Sequence, residues 1–197
     1  MSSHPRRLIV GITGASGAIY GVRLLRLLQG SDIETHLVMS RSAKITLTQE
    51  MDIGIAEVTA LASVVHHVDN IGASIASGSF RTVGMVIAPC SMRSLAEIAS
   101  GATSSLVTRA ADVVLKERRR LVLIVREAPL HLGHLRAMTA ATEIGAIVYP
   151  PVPAFYARPT SLEQMVDHTL GRVLDLFEID NTAVSRWGGL NSIKNTE

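Results

Sequence analysis

Short runs of apolar residues alternate along the chain with longer segments in which apolar residues recur at the spacing of an α-helix. The runs at 84–88 and 121–125 are apolar throughout, which is typical of central strands in a parallel sheet covered on both faces. The pattern predicts strands at 7–12, 34–39, 64–68, 84–88, 121–125 and 146–149, and helices at 18–28, 42–50, 91–99, 105–117, 131–144 and 160–177. This alternation indicates an α/β fold of three layers, with a parallel sheet between two layers of helices.

Composition narrows the class of protein. A chain of 197 residues, 47% of them hydrophobic, is long enough to fold as one domain over 1–197, and we expect a flexible tail from about 188 to 197. The net charge of +2 and the low aromatic content, 4%, argue against nucleic-acid binding. The single cysteine fits a reducing compartment and no apolar run is long enough for a membrane span, so we expect a cytoplasmic protein. A mean hydropathy of +0.30 is high for a soluble monomer and favours a homo-oligomer.

The junction between the first strand and the first helix is the most informative local motif. It reads Gly11-Ile-Thr-Gly-Ala-Ser-Gly17 and follows the apolar run Leu8-Ile-Val10. A glycine-rich turn that opens a helix leaves free backbone N–H groups at the positive end of that helix. Thr13 and Ser16 add hydroxyl groups. The motif therefore predicts that a phosphorylated ligand is bound near residues 13–17.

Polar or glycine-rich segments also follow the other predicted strands. They lie at 40–42, 89–94 and 126–127, and the carboxyl ends of parallel strands meet at one edge of a sheet. A dinucleotide is disfavoured there, because the glycine spacing is G-x-x-G-x-x-G and strand 2 ends at Ser40 rather than at an acidic residue. No G-K-[ST] follows the glycines, which excludes a P-loop. A mononucleotide such as FMN suits this short hydroxyl-rich turn better.

Charged residues predict a second anionic ligand. Arg109, Lys116, Arg126 and Glu127 are close in sequence, and three cations exceed what one FMN phosphate needs. The run Arg118–Arg120 is instead interpreted as a solvated helix end. A metal site is disfavoured, because the pair His131 and His134 has no third ligand of matching character nearby. Cys90 has no evident base partner and is interpreted as a small buried thiol.

Seven segments together resemble the UbiX-type flavin prenyltransferases, formerly described as aromatic acid decarboxylase subunits. They read Gly11-Ile-Thr-Gly-Ala-Ser-Gly-Ala18, Ala76-Ser-Gly-Ser79, Ala88-Pro-Cys-Ser91, Arg109-Ala-Ala-Asp-Val-Val-Leu-Lys-Glu-Arg-Arg-Arg120, Leu121-Val-Leu-Ile-Val-Arg-Glu-Ala-Pro129, Pro150-Pro-Val-Pro-Ala-Phe-Tyr156 and Arg186-Trp187. The segments span nearly the whole chain.

The resemblance implies a fold, an activity and partners. The fold is a flavodoxin-like, doubly wound (Rossmann-like) parallel sheet, and the assembly is a homododecamer. The activity transfers a dimethylallyl group from dimethylallyl monophosphate to N5 and C6 of reduced FMN, without a metal. The product, prenylated FMN, serves a UbiD-type decarboxylase, and ubiquinone synthesis and aromatic acid breakdown both remain open as pathways.

The resemblance also assigns site residues. It places FMN contacts at Gly14, Ala15, Ser16, Ser40, Ser91, Met92, Arg93, Ser94 and Arg126. It places donor phosphate contacts at Arg109, Lys116, Glu127, Tyr156 and Arg172, and catalytic roles at Glu127, Lys116, Tyr156, Ser16 and Glu50. The family often has Ser-Thr-Gly-Thr where this chain has Ser91-Met-Arg-Ser94, so the side-chain contacts of that segment are open.

The chemistry of donor ionisation explains these residue types. The cations stabilise a leaving phosphate, Tyr156 donates a hydrogen bond and Glu127 supplies a proton. Glu50 or Ser16 could assist the proton loss that accompanies ring closure. Two alternatives stay open at this point: a flavin-dependent cysteine decarboxylase and a protein that stores or delivers FMN.

Overall fold

The computed structural model describes residues 5–184 and 186, and the predicted tail at 188–197 lies outside this range. Six strands are present: β1 Arg6–Ile12, β2 Ile33–Met39, β3 Val64–His66, β4 Gly84–Cys90, β5 Arg120–Val125 and β6 Ile147–Val148. Seven α-helices accompany them: α1 Ala18–Leu28, α2 Arg41–Glu50, α3 Ile55–Ala60, α4 Met92–Ser100, α5 Leu106–Lys116, α6 Leu132–Glu143 and α7 Leu162–Asp175. Short 3-10 turns lie at Ser74–Ala76 and Phe155–Ala157.

The six strands form one parallel sheet in the order β3-β2-β1-β4-β5-β6. The chain runs outward from β1 to β3 and then returns to the other side of β1, so the strand order reverses between β1 and β4. In doubly wound sheets, ligands bind at the carboxyl ends of the strands beside such a reversal. We call the end of the sheet at which its strands finish the carboxyl margin, and the end at which they begin the amino margin.

The predicted flavodoxin-like α/β fold is confirmed, and the element boundaries agree closely. Helix α1 matches its prediction at both ends, and β4 extends two residues beyond its predicted end. Helix α7 is shorter than predicted, because Ser161 caps it and its regular hydrogen bonds end at Asp175. Strand β6 has only two residues, since it lies at the edge of the sheet and pairs with β5 alone.

The core of the sheet is aliphatic. Every residue of β4 is buried, and so are the residues of β5 from Leu121 to Val125. Helix α5 presents a buried face of Leu106, Val107, Ala110, Ala111, Val113 and Val114. Burial on both faces explains why the central strands are apolar without alternation.

The chain divides into two compact units, Met1–Pro151 and Val152–Glu197. The first holds the sheet with α1 to α6, and the described part of the second holds α7 and the turn Phe155–Ala157. The single flavoprotein domain expected over 1–197 stays a prediction. Within the described residues, no helix combines the length and the apolar character needed to cross a membrane.

Candidate functional site

The turn between β1 and α1 is closed by a carboxylate from the protein itself. The backbone N–H groups of Gly17 and Ala18 donate to Oε2 of Glu50 at 2.8 and 2.9 Å. Glu50 is the last residue of α2, and the hydroxyl of Ser16 also bonds to it. The prediction of free N–H groups at this helix start is therefore wrong for Gly17 and Ala18, because the end of α2 already places an anion there.

The environment of Glu50 keeps it ionised. Burial alone would raise the pKa of Glu50, but other interactions outweigh burial and hold the pKa below its ordinary value. They are the hydrogen bonds from Ser16, Ala18 and Gly17 and the charge of Arg126. A negative charge at the start of α1 is also favoured by the helix dipole. The structure therefore brings Ser16, Glu50 and Arg126 of the predicted site together.

Arg126 approaches this turn from the end of β5. Its backbone N–H donates to the carbonyl of Cys90 at 3.2 Å, which ties the loop after β5 to the end of β4. Burial raises the pKa of Tyr20 in α1, and the charge of Arg126 opposes that rise. A single guanidinium thus acts on both Tyr20 and Glu50 at the carboxyl margin.

Thr13 has a structural role that the sequence did not reveal. Its side chain is buried, and its hydroxyl donates to the carbonyl of Pro89 at 2.8 Å. The same oxygen accepts the backbone N–H of Ser91 at 2.8 Å. Thr13 therefore joins the ends of β1 and β4 and fixes where α4 begins, so its hydroxyl proton is already used within the protein.

A cavity of about 360 Å³ opens beside this junction. It is lined by Gly14, Ser40, Arg41, Ser42, Val68, Asp69, Ser91, Arg93, Ser94, Glu97, Ser104 and Ser105. Gly14 has no room for a side chain, because a Cβ built there would lie 2.4 Å from Cβ of Ser42. The predicted FMN-contact residues Gly14, Ser40, Ser91, Arg93 and Ser94 thus share one cavity.

Three helices begin at this cavity. Ser40, Ser91 and Ser105 are the N-caps of α2, α4 and α5, and each side chain accepts a backbone N–H three residues on. The remaining first-turn N–H groups of a helix point out of its N-terminal end, where the helix dipole attracts negative charge. Three helix starts at one cavity make it suited to a phosphate group.

Ionic pairs surround the same cavity. Arg41 bonds to Asp69 at 2.7 Å and lowers its pKa. Nε of Arg93 donates to Glu97 at 2.9 Å, and the hydroxyl of Ser104 donates to the other oxygen of Glu97 at 2.6 Å. Burial alone would raise the pKa of Glu97, but these two donors hold it below its ordinary value.

Sequence reasoning missed several lining residues. Glu97 and Ser104 were not predicted, although Glu97 lies one helical turn after Arg93 and the i,i+4 spacing was a usable signal. Asp69 directly follows the strand predicted at 64–68, and no local pattern indicated that it is the partner of Arg41.

Two other predicted contacts face the interior rather than the cavity wall. Ala15 is buried in the β1–α1 turn, with 9% of its surface exposed. Met92 opens α4 and is partly buried against the core of the sheet. Side-chain contacts to FMN at these two positions stay predictions.

Lys116 lies at the amino margin of the sheet, whereas Glu127 lies at the carboxyl margin. Helix α5 begins at the carboxyl margin with Ser105 and ends with Lys116 just before β5. Glu127 follows the end of β5, so the strand separates the two residues by about 17 Å along its axis, at ~3.3 Å per residue. The charged residues predicted to bind a second anion are therefore not all brought together within one protomer.

Lys116 is held in a local cluster at the amino margin. Its ammonium donates to Glu117, and both side chains lie beside the loop after the first 3-10 turn. A Cβ on Gly78 would lie 2.3 Å from Oε1 of Glu117 and 2.8 Å from Nζ of Lys116. Arg119 fixes this loop by donating to the carbonyl oxygens of Gly78, at 3.0 Å, and of Phe80.

Arg109 and Glu127 remain at the carboxyl margin. Arg109 lies in the first turns of α5 and bonds to Asp112 at 2.8 Å. Glu127 is exposed, and it accepts the backbone N–H of Ala128 at 3.1 Å. Both side chains are open to solvent in one protomer.

Tyr156 and Arg172 belong to the second unit. Tyr156 is 54% exposed on the turn Phe155–Ala157, and its ring lies 5.6 Å from that of His168. Arg172 bonds to Asp175 at 2.6 Å, and Arg186 bonds to the same carboxylate at 2.9 Å.

Two further interpretations can be compared with the structure. Cys90 is fully buried, and burial raises its pKa to about 12, which confirms a buried neutral thiol. Over residues 5–184 and 186, no three or more His, Cys, Asp or Glu side chains gather as a metal would require.

The chain resembles known proteins along nearly its whole length. A family model described as Flavoprotein matches residues 1–186. Flavin prenyltransferase UbiX of Escherichia coli K12 is 61% identical over 93% of this chain and 99% of the relative.

Solved structures agree with this match. The crystal structure of AnUbiX (PadA1) with FMN and dimethylallyl pyrophosphate has a TM-score of 0.92 at 48% identity, covering 94% of this chain and 99% of that one. A dodecameric FMN-dependent UbiX-like decarboxylase from Escherichia coli O157:H7 has a TM-score of 0.90 at 48% identity, covering 93% of this chain and all of the other.

Proposed function

The chain belongs to the UbiX flavin prenyltransferase family of flavoproteins, and on that premise we propose that it prenylates reduced FMN. A dimethylallyl group leaves its phosphate as the C–O bond breaks, and it becomes bonded to N5 and then to C6 of the flavin. Bonding to N5 displaces the N5 proton, and ring closure then uses a proton taken up by the remaining C=C bond and releases one from C6. One proton is released overall and ends on the phosphate, so the products are prenylated FMN and inorganic phosphate. The observation that best supports this function is the cavity at which three helices begin, beside the turn closed by Glu50.

The chain's own residues divide the binding of FMN into two parts. The phosphate of FMN enters the cavity of Ser40, Ser91 and Ser94, where the starts of α2, α4 and α5 stabilise its charge. The flavin edge lies along Gly14, Ala15 and Ser16, with Arg126 beside them. Backbone donors supply most of this binding, so the departure at Met92 and Arg93 from the usual family segment is tolerated.

The donor phosphate requires residues from more than one protomer. Lys116 and Glu127 lie at opposite margins of one sheet, which supports a site that a neighbouring copy completes with its own Lys116. The UbiX-like decarboxylase of Escherichia coli O157:H7, which has a similar fold, is dodecameric. We further propose that Arg109, Tyr156 and Arg172 contact the donor phosphate.

These residues perform the steps that ionisation of the donor demands. Lys116, Arg109 and Arg172 neutralise the leaving phosphate, and Tyr156 donates a hydrogen bond to it. Glu127 supplies a proton to the phosphate as the C–O bond breaks. A site closed between protomers excludes water, which would otherwise capture the allylic cation.

The proposed main role of Glu50 is to hold the turn between β1 and α1 in place, rather than to accept a proton. Its lowered pKa makes it a weak base, and three donors already share its oxygens. Ser16, which bonds to Glu50, is the alternative group for the proton released at C6. A Glu50→Gln enzyme that closes the ring at the normal rate would exclude Glu50 from that step.

The direct test mixes the protein with reduced FMN and dimethylallyl monophosphate without oxygen. Mass spectrometry should find a flavin heavier by one prenyl unit, and the pyrophosphate should be run beside the monophosphate to define the donor. If FMN were recovered unmodified with both donors, the proposal would be contradicted, and storage or delivery of FMN would be favoured. We also propose that a UbiD-type decarboxylase receives the product and that the protein acts in the cytoplasm.

A further inference from the structure

The turn that carries Tyr156 contributes little to its own placement. It is a 3-10 turn of three residues with no buried member, and Phe155 beside Tyr156 is 75% exposed. Its N-cap Ala154 offers no side-chain cap, and Arg158 at its end has φ of 47°. A turn with so little buried surface depends on neighbouring elements to fix its aromatic ring.

Helix α7 supplies a neighbour for that ring. His168 is buried, with 6% of its surface exposed, and its ring centroid lies 5.6 Å from that of Tyr156. The two ring planes meet at 80°, an edge-to-face arrangement that aromatic pairs favour. Nε2 of His168 has no hydrogen-bond partner within the described part of the chain. His168 therefore contacts Tyr156 through its ring, and its Nε2 makes no hydrogen bond in the described part of the chain.

The helix holds His168 firmly. Ser161 caps its start by accepting the N–H of Gln164 at 3.2 Å. Near its end, Asn181 donates to the carbonyl of Gly171 at 3.1 Å, and a Cβ on Gly171 would lie 2.5 Å from Val184. With both ends fixed, α7 can act as a rigid support for a ring that packs against it.

We infer that His168 is a positioning residue that orients Tyr156 toward the donor phosphate. Arg172 lies one helical turn beyond His168, so α7 carries both the ring that contacts Tyr156 and the guanidinium of Arg172. The inference rests on the proposed function, because it gives that function a support for one of its donor-binding residues.

The test compares two substitutions of similar size. His168→Leu removes the aromatic ring but keeps most of its volume, and it should raise KM for dimethylallyl monophosphate about three- to tenfold, the range expected for one aromatic pair. His168→Phe keeps the ring, and its KM should stay within about twofold of the parent enzyme. The affinity for FMN should be unchanged in both variants, and His134→Leu, in α6, is the matched histidine control.

A double substitution separates positioning from general packing. In a Tyr156→Leu background, His168→Leu should add less than about a twofold change in KM, because the residue through which it acts is gone. An equal loss in both backgrounds, or a Phe variant as impaired as the Leu variant, would overturn the inference.

Crystal structures of the FMN-bound variants provide a readout that does not depend on activity. The ring of Tyr156 should keep its position in His168→Phe and move in His168→Leu. An unmoved ring in His168→Leu overturns this inference alone, whereas failure of the parent enzyme to prenylate FMN overturns the proposed function first.

Discussion

The carboxyl and amino margins of the sheet both present groups that attract anions. These groups are mainly backbone N–H groups at the carboxyl margin and charged side chains at the amino margin. At the carboxyl margin, three helix starts supply backbone N–H groups around one cavity, and the two arginines that line this cavity, Arg41 and Arg93, are paired with carboxylates. At the amino margin, the charge belongs to side chains at the end of α5. Arg119 bonds to loop carbonyls, and Lys116 is about half exposed beside Glu117.

The difference indicates which anion each margin can bind. Backbone groups at helix starts are held by the fold, so they suit a phosphate that stays bound while chemistry proceeds elsewhere on the molecule. A lysine on an exposed helix end can reach a second protomer and can exchange one carboxylate partner for a phosphate. We therefore propose that the carboxyl margin binds the nucleotide phosphate and that Lys116 of a neighbouring copy binds the departing phosphate.

The largest effect is expected when a residue of each margin is substituted, one in each of two protomers of the same oligomer. Lys116→Ala and Glu127→Ala should each lower turnover by about 100-fold or more, because each removes a group that acts on the leaving phosphate. Mixed oligomers made by co-expression of the two variants should regain part of the activity, since some sites then contain both native residues. Turnover per oligomer, measured after tandem affinity purification, gives the result.

The control for that experiment mixes two substitutions of the same residue. Oligomers of Lys116→Ala with Lys116→Met contain no intact site and should stay inactive. If the mixture of Lys116→Ala with Glu127→Ala were equally inactive, Lys116 and Glu127 would act within one protomer, and the assignment of the amino margin to a neighbour would be wrong.

A smaller effect is expected at the carboxyl margin from filling the space at Gly14. Gly14→Ala should weaken FMN binding about 10-fold or more, because the added methyl overlaps Ser42 at the cavity wall and such overpacking costs ~1–3 kcal/mol. The dissociation constant can be measured by quenching of flavin fluorescence. Gly72→Ala is the matched control, since a Cβ there meets only Asn70 at 3.7 Å, and its FMN affinity should not change.

The two margins also differ in how well the sequence predicted them. Alternating apolar runs were enough to place β1, β4 and α1, because burial on both faces leaves a strong signal in the sequence. Placing segments 40–42 and 89–94 at one edge followed from parallel topology alone. The apolar pattern does not show that the whole of β5 lies between Lys116 and Glu127. Their closeness in sequence was therefore misleading about their separation in space.

The use of individual hydrogen bonds could not be predicted either. Glu50 is 33 residues from Gly17, and only the folded sheet brings the end of α2 to the start of α1. The N–H groups of a glycine-rich turn look the same in sequence whether a ligand or a carboxylate of the protein takes them. The turn before α1 was therefore predicted as a phosphate site, while the cavity between α2, α4 and α5 was recognised only through its separate serines.

The smallest predicted effect tests the start of α1, which a carboxylate of the protein closes. Glu50→Gln keeps an oxygen that can accept the N–H groups of Gly17 and Ala18 but loses the charge. The thermal midpoint at pH 7 should fall by about 1–4 °C, since a charge at a helix start contributes ~0.3–1 kcal/mol. Calorimetry at several pH values gives the measurement.

The pH dependence gives this prediction its sign. Because the pKa of Glu50 is lowered in the folded protein, its charge stabilises the fold above the ordinary glutamate pKa of about 4.3, and that contribution disappears as the pH falls through the lower folded value. The difference between the parent protein and Glu50→Gln should therefore narrow below about pH 4. Glu57→Gln is the comparison variant and is measured in the same way, because Glu57 caps only its own helix, at Gly54. A gap that stayed constant from pH 7 to pH 3 would mean that the start of α1 does not depend on the charge of Glu50, and the contrast between a closed helix start and three open ones would lose its electrostatic basis.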